Sequence, residues 1–200
     1  MAFEQRGKSG GSRKRSSGFS ASQGVDDENA DSMPAREKKP PTPERLEQRA
    51  RNVLLHQLAR SAKSTHQLRK ILEQREIPSE IAERVLVRFT EVGLIDDQAY
   101  AETIVNSRRN FKGLSKSAIK RELNEKGVPA PLVEQAIDAI TAEDDLAAAK
   151  DLAARRIRQM SGLAREVRER RLAGYLGRKG YPSAVVFAAI RFAETQNELE

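Results

Sequence analysis

"NEKGVPAPLVEQAI", residues 124–137, reads as a helix that stops and starts again. Gly127 can take the left-handed conformation that ends a helix at low cost. Val128 then sits where it packs back onto Leu123, and Pro129 forbids the first helix from running on. The same punctuation returns in "GRKGYPSAVVFAAI", residues 177–190, with Gly180, Tyr181 and Pro182. A worn copy, "EQREIPSEIAERVL", covers residues 73–86 and carries Glu76 where the others carry glycine. A non-glycine residue there costs about 1 kcal/mol or more, so that turn is expected to differ in detail.

Pro78, Pro129 and Pro182 are 51 and 53 residues apart, and apolar positions agree on both sides of each turn. Upstream, Leu68 aligns with Ile119 and Leu172, and Leu72 with Leu123 and Leu176. Downstream, Ile81 aligns with Leu132 and Val185, and Leu86 with Ile137 and Ile190. Agreement at a fixed period marks a tandem repeat.

Each unit also has a first helix. Thr42-Pro43 is an N-cap followed by proline at the first helical position. Leu46, Ala50, Val53, Leu54 and Leu58 then share one helical face. In the middle unit Asp96 caps a helix, with Ile95 and Tyr100 at the positions of a hydrophobic staple, and the helix ends near Gly113. Ser115 caps the next helix; Ser64, with Gln67 completing a capping box, does so in the first unit. The third unit opens on "EDDLAAAKDLAARRI", with acids at the positive helix end. No stretch alternates with period two, so no strands are expected. The fold class is all-α: three tandem three-helix repeats over residues 42–93, 94–142 and 143–200, forming an elongated, curved body. Residues 1–41 hold "RGKSGGSRKRSSGFSASQG" and "DDENAD", which lack a face to bury, and are expected to be a disordered basic and polar tail.

The chain has no cysteine, and its two histidines, His56 and His66, are not at a ligand spacing on one helix face, so disulfides and thiolate metal sites are excluded. No apolar signal region opens the sequence, and the longest apolar run is far short of a membrane span, so a cytoplasmic protein is expected. Asp96-Asp97 is better explained by capping than by paired catalytic carboxylates. There is no phosphate loop, dinucleotide fingerprint or nucleophile with a base partner, so no enzyme and no cofactor is expected.

The net charge of +7 points toward an acidic partner or toward simple solubility. Its distribution is uneven. Arg108, Arg109, Lys112, Lys116, Lys120, Arg121 and Lys126 crowd the middle unit. Arg155, Arg156, Arg158, Arg165, Arg168, Arg170, Arg171, Arg178 and Lys179 crowd the third. Helix-dipole matching covers Arg108, Arg109, Lys126 and Lys179. It leaves Lys116, Lys120 and residues 165–171 unexplained, and these favour a binding surface. Phe111, within "RRNFKG", is a base-stacking candidate, but its place at a helix end favours a core role. A sequence-reading helix-turn-helix is disfavoured, because the third helices are mostly apolar.

These residues resemble a known family. "GLIDDQAYAETIVNSRRNFKGLSKSAIKRELNEKGVPAPLVEQAI", residues 93–137, is similar to the central signature of RecX, the bacterial regulator of the RecA recombinase. Leu94, Ile95, Asp96, Asp97, Tyr100, Ala101, Arg108, Gly113, Ile119, Leu123 and the run Lys126-Gly127-Val128 carry it. Gln67, where the family usually shows an acid, and Arg75-Glu76, in place of Lys-Gly, depart from it. The resemblance implies three tandem three-helix units. It also implies a protein that binds the RecA filament on single-stranded DNA, lies along its helical groove and damps ATP hydrolysis, strand exchange and co-protease activity; a monomer is expected. A general DNA-binding protein acting without RecA, and an adaptor for another acidic protein, stay open as alternatives.

Overall fold

The computed structural model describes residues 42–199, so the expected tail lies outside the described residues. Among the described residues, nine α-helices fall into three groups. The first group is α1 (Pro43–Leu58), α2 (Thr65–Glu73) and α3 (Ser79–Glu91). The second is α4 (Asp97–Ser107), α5 (Lys116–Glu125) and α6 (Ala130–Ile137). The third is α7 (Ala142–Ile157), α8 (Arg165–Arg178) and α9 (Ser183–Leu199). No strand occurs among the described residues. A π-helical turn, Arg108–Lys112, extends α4, and a 3-10 turn, Arg158–Met160, extends α7.

Each unit builds its own core. In every unit the first and third helices pack together and the second lies across the third. Ala50, Leu54, Leu68, Leu72, Val85 and Leu86 fill the first core, closed by Ile95 from the next unit. Tyr100, Ile119, Leu123, Val133 and Ile137 fill the second. Ile157, Leu172, Leu176, Tyr181 and Ile190 fill the third. Each such side chain contributes about 1.5–3 kcal/mol when fully buried. The aligned leucines of the second helices are the centres of the three cores.

All three turns after the second helices use one geometry. Glu76, Gly127 and Gly180 have φ of 58°, 70° and 84°. The next residue sends its N–H back five positions: Ile77 to Leu72 O, Val128 to Leu123 O, Tyr181 to Leu176 O. The expected difference at Glu76 is therefore absent from the backbone. Glu76 takes the left-handed conformation without glycine, and its side chain is exposed, so no neighbour opposes it.

Caps set the helix starts. Thr42, Ser64, Asp96 and Ser115 each accept the N–H three residues on. Thr141 forms a capping box with Asp144 at the start of α7. Ala164 precedes α8 and makes no side-chain cap. The second helix of the third unit is also the longest of its kind, 14 residues against 9 and 10.

Candidate interaction surface

The units are joined by polar contacts that repeat. Ser64 Oγ, fully buried, donates to Lys126 O at the end of α5, 2.5 Å away. Ser115 Oγ, equally buried, donates to Gly180 O beyond the end of α8, at 2.7 Å. The start of α2 thus sits on the end of α5, and the start of α5 on the end of α8. An acid from the following unit's first helix completes each joint. Asp97 Oδ1 accepts the Thr65 N–H at 2.8 Å, and the Asp145 carboxylate accepts the Lys116 N–H. Both N–H groups are orphan donors of a first helical turn, where negative charge is favoured. Asp96 caps its own helix, while its neighbour Asp97 caps the previous unit's. Two tyrosines lock the joints: Tyr100 Oη donates to Gln67 Oε1 at 3.1 Å and Tyr181 Oη to Gly113 O at 3.2 Å. Burial pushes the Tyr181 phenol up to about 12 and raises that of Tyr100.

These joints absorb part of the basic set. Arg108 holds Glu122 with Nε and Nη2, and this bond holds the Glu122 carboxyl below its usual range. Arg109 pairs with the buried Asp145 and so ties the π turn to α7. Lys116 Nζ donates to Ile140 O at 2.8 Å. Lys120 pairs with Glu134 across α5 and α6, as Arg69 pairs with Glu83 across α2 and α3. By the repeat register, Ala173 and Phe187 stand at those two places in the third unit. Arg168 pairs with Glu194, which is 2% exposed, and donates to Leu163 O. Arg165 pairs with Glu169 and Glu198 on the surface. Arg121 approaches Glu125 at 3.8 Å. Glu122, Asp145 and Glu194 were not legible as partners, because each lies 14 or more residues from its arginine.

Four arginines of the third unit share one groove. Arg155, Arg170, Arg171 and Arg178 are exposed and form no ion pair among the described residues. Arg156, Arg170, Arg171 and Arg178 line an open groove of about 450 Å³ between the end of α7 and α8, with Tyr175, Gly174, Gln159 and Met160. The Tyr175 ring carries Arg156 at 5.7 Å and Lys179 at 5.1 Å, within cation–π range. Arg178 also lines a second groove, with Arg121, Lys126 and Gln67, where all three units meet. Lys179 reaches back from the end of α8, and its Nζ donates to Lys112 O.

Phe111 corrects a sequence expectation. It does not close the core: it stands 88% exposed on the π turn, between paired arginines and Lys112. The wider π turn rotates it away from the face that Val105 and Tyr100 bury.

Family comparison assigns the three groups of helices. Residues 50–89, 96–137 and 143–190 match the first, second and third three-helix domains of RecX. The chain is 43% identical over 169 residues to the regulatory protein RecX of Streptomyces coelicolor, covering 84% of this chain and 89% of that one.

The chain belongs to the RecX family.

It is also 40% identical to the regulatory protein RecX of Thermobifida fusca over 149 residues, 74% of this chain and 80% of that one. The crystal structure of RecX from Lactobacillus salivarius superposes with a TM-score of 0.64 at 19% identity, over 75% of this chain and 97% of that one. That likeness concerns the fold. A crystal structure of regulatory protein RecX superposes at 0.60 with 26% identity, over 72% and 70% of the two chains. Gly127 lies inside the second matched RecX domain and Gly180 inside the third, so the turn that opens the sequence argument is part of the family's unit. Among the described residues no helix is long and apolar enough to cross a membrane, and no group of His, Cys, Asp and Glu is placed to hold a metal ion.

Proposed function

We propose that this chain modulates the RecA recombinase on single-stranded DNA: it binds the groove of the RecA filament and damps ATP hydrolysis, strand exchange and co-protease activity. The observation that carries the reading is the match of three consecutive units, in order, to the three RecX domains. The open arginines of the third unit supply a means. Arg170, Arg171 and Arg178 form no ion pair among the described residues, and Arg156 beside them meets only Tyr175 and Gln159, so positive charge is available there to acidic protein surface or to phosphate.

Titration of the protein into RecA assembled on single-stranded DNA, with ATP hydrolysis as the readout, tests this. Hydrolysis falls as the protein is added, and falls less at higher salt. Reversing Arg170, Arg171 and Arg178 together to glutamate raises the concentration for half-inhibition by about tenfold or more, the scale of losing several charge contacts. The far-ultraviolet circular dichroism stays as in the wild type, since none of the three holds an ion pair among the described residues. A folded wild-type protein in excess over filament that leaves hydrolysis unchanged refutes the reading.

A further inference from the structure

We infer that Phe111 is a stacking residue for an unpaired base of single-stranded nucleic acid, with Lys112 and Lys179 as its phosphate contacts. The inference deepens the proposed function and rests on it for its biological setting. The chemistry is local and is testable without a filament.

A phenylalanine left 88% exposed forgoes most of the burial that side chain normally gains. Looseness of the chain does not explain it, because the turn that carries the ring is held on every side. Arg108 is fixed by Glu122, and Arg109 by Asp145 and Leu114 O. Lys112 O accepts from Lys179 Nζ. Gly113, at φ 59°, closes the turn with its N–H on Arg109 O, and its own carbonyl accepts from Tyr181. The ring is therefore presented on a fixed platform. The platform is a π turn, a helix distortion frequent at functional sites.

The charge around the ring selects the partner. Glu122 and Asp145 are each neutralised by an arginine of the turn itself, which leaves Lys112 and Lys179 as the local excess. A flat apolar face beside uncompensated cations suits a ligand with both a π surface and anionic groups. From Phe111 the positive track continues through Lys179 to Tyr175 and Arg156, and on to Arg170 and Arg171. Cations spaced along a track, with a second aromatic among them, match phosphates repeating along a strand better than one acidic pocket on a protein. An open strand offers unstacked bases; a duplex does not.

The test measures binding of the full chain to a fluorescent oligothymidylate by anisotropy, with a duplex of equal length as the reference. Phe111→Ala weakens binding to the single strand by about tenfold, the scale of one lost base–aromatic stack, and changes duplex binding by less than about twofold. Phe111→Trp binds as well as the wild type or better, while Phe111→Leu stays weak, because leucine is apolar but has no π face. Lys112→Glu lowers the slope of log affinity against log salt by about one contact. The inference is overturned by a wild type that does not bind the oligonucleotide at low salt. It is equally overturned by Phe111→Leu binding as well as Phe111, or by a Phe111→Ala that binds within about twofold of wild type. Loss of filament binding by Phe111→Ala with oligonucleotide binding intact assigns the ring to a protein contact; it removes this inference and leaves the proposed function standing.

Discussion

A Cβ on Gly127 would overlap the His66 ring, and one on Gly180 would lie 2.6 Å from Ala118 Cβ and 2.9 Å from Ser115 Oγ. Both residues also have positive φ. Each glycine thus serves a turn and a joint together: it ends its own helix and lets the preceding unit sit against that end. Glu76 shares the first duty and escapes the second, because its side chain is exposed and meets no preceding unit among the described residues. The two costs separate by mutation. Gly127→Ala and Gly180→Ala pay the left-handed penalty of about 1–2 kcal/mol and the overlap as well, so each destabilises by about 2–4 kcal/mol in chemical denaturation. Glu76→Gly relieves only the penalty and stabilises by up to about 1 kcal/mol. Equal and opposite effects at the three positions would mean that the joint imposes no demand of its own.

At the scale of the helix, the second helices are the working elements. α2 and α5 each begin on a serine whose oxygen accepts from its own helix and whose hydrogen goes to the next unit's helix end. The two joints are not equally redundant. Gly180 O accepts from Ser117 Oγ at 2.8 Å as well as from Ser115, while Lys126 O takes its bond from Ser64. Ser115→Ala therefore costs about 1–2 kcal/mol, mainly the lost cap. Ser64→Ala loses a cap and also strands a carbonyl, for about 2–3 kcal/mol. Equilibrium unfolding of both variants checks the order. A Ser64→Ala no worse than Ser115→Ala would show that Lys126 O finds another donor.

Across the whole described chain, the array has matched joints inside and unmatched ends. At one end Glu76 occupies the place where Gly127 and Gly180 admit a neighbour. At the other, α8 starts from Ala164 with no hydroxyl to donate. Neither end repeats the serine and glycine chemistry of the two joints among the described residues, so copies of the chain are expected not to extend one another. Sedimentation velocity is expected to show no growth of the species with concentration; a concentration-dependent series of larger species would contradict this. The same sorting explains where charge is left over. The middle unit spends Arg108, Arg109, Lys116 and Lys120 on contacts with its own helices and with the third unit. The third unit keeps Arg155, Arg170, Arg171 and Arg178 without an ion pair among the described residues.

The helical class, the repeat and the turn register were all readable along the chain, because each depends on residues a few positions apart. The spacing of Leu68, Ile119 and Leu172 locates the cores, and Ser64, Asp96 and Ser115 announce their caps. The RecX signature is equally local. What no local pattern carries is the partner of a charge. Arg108, Arg109 and Arg168 look like Arg170 and Arg171 in sequence, yet the first three are held by Glu122, Asp145 and Glu194, brought close only by packing. Phe111 was misread for the same reason, since a helix end looks alike whether the last turn is α or π. Short-range sequence thus determined the units and their order; the tertiary structure decided which cations and which aromatic ring remain free to meet a partner, because ion pairing and exposure depend on distances that only the assembled units set.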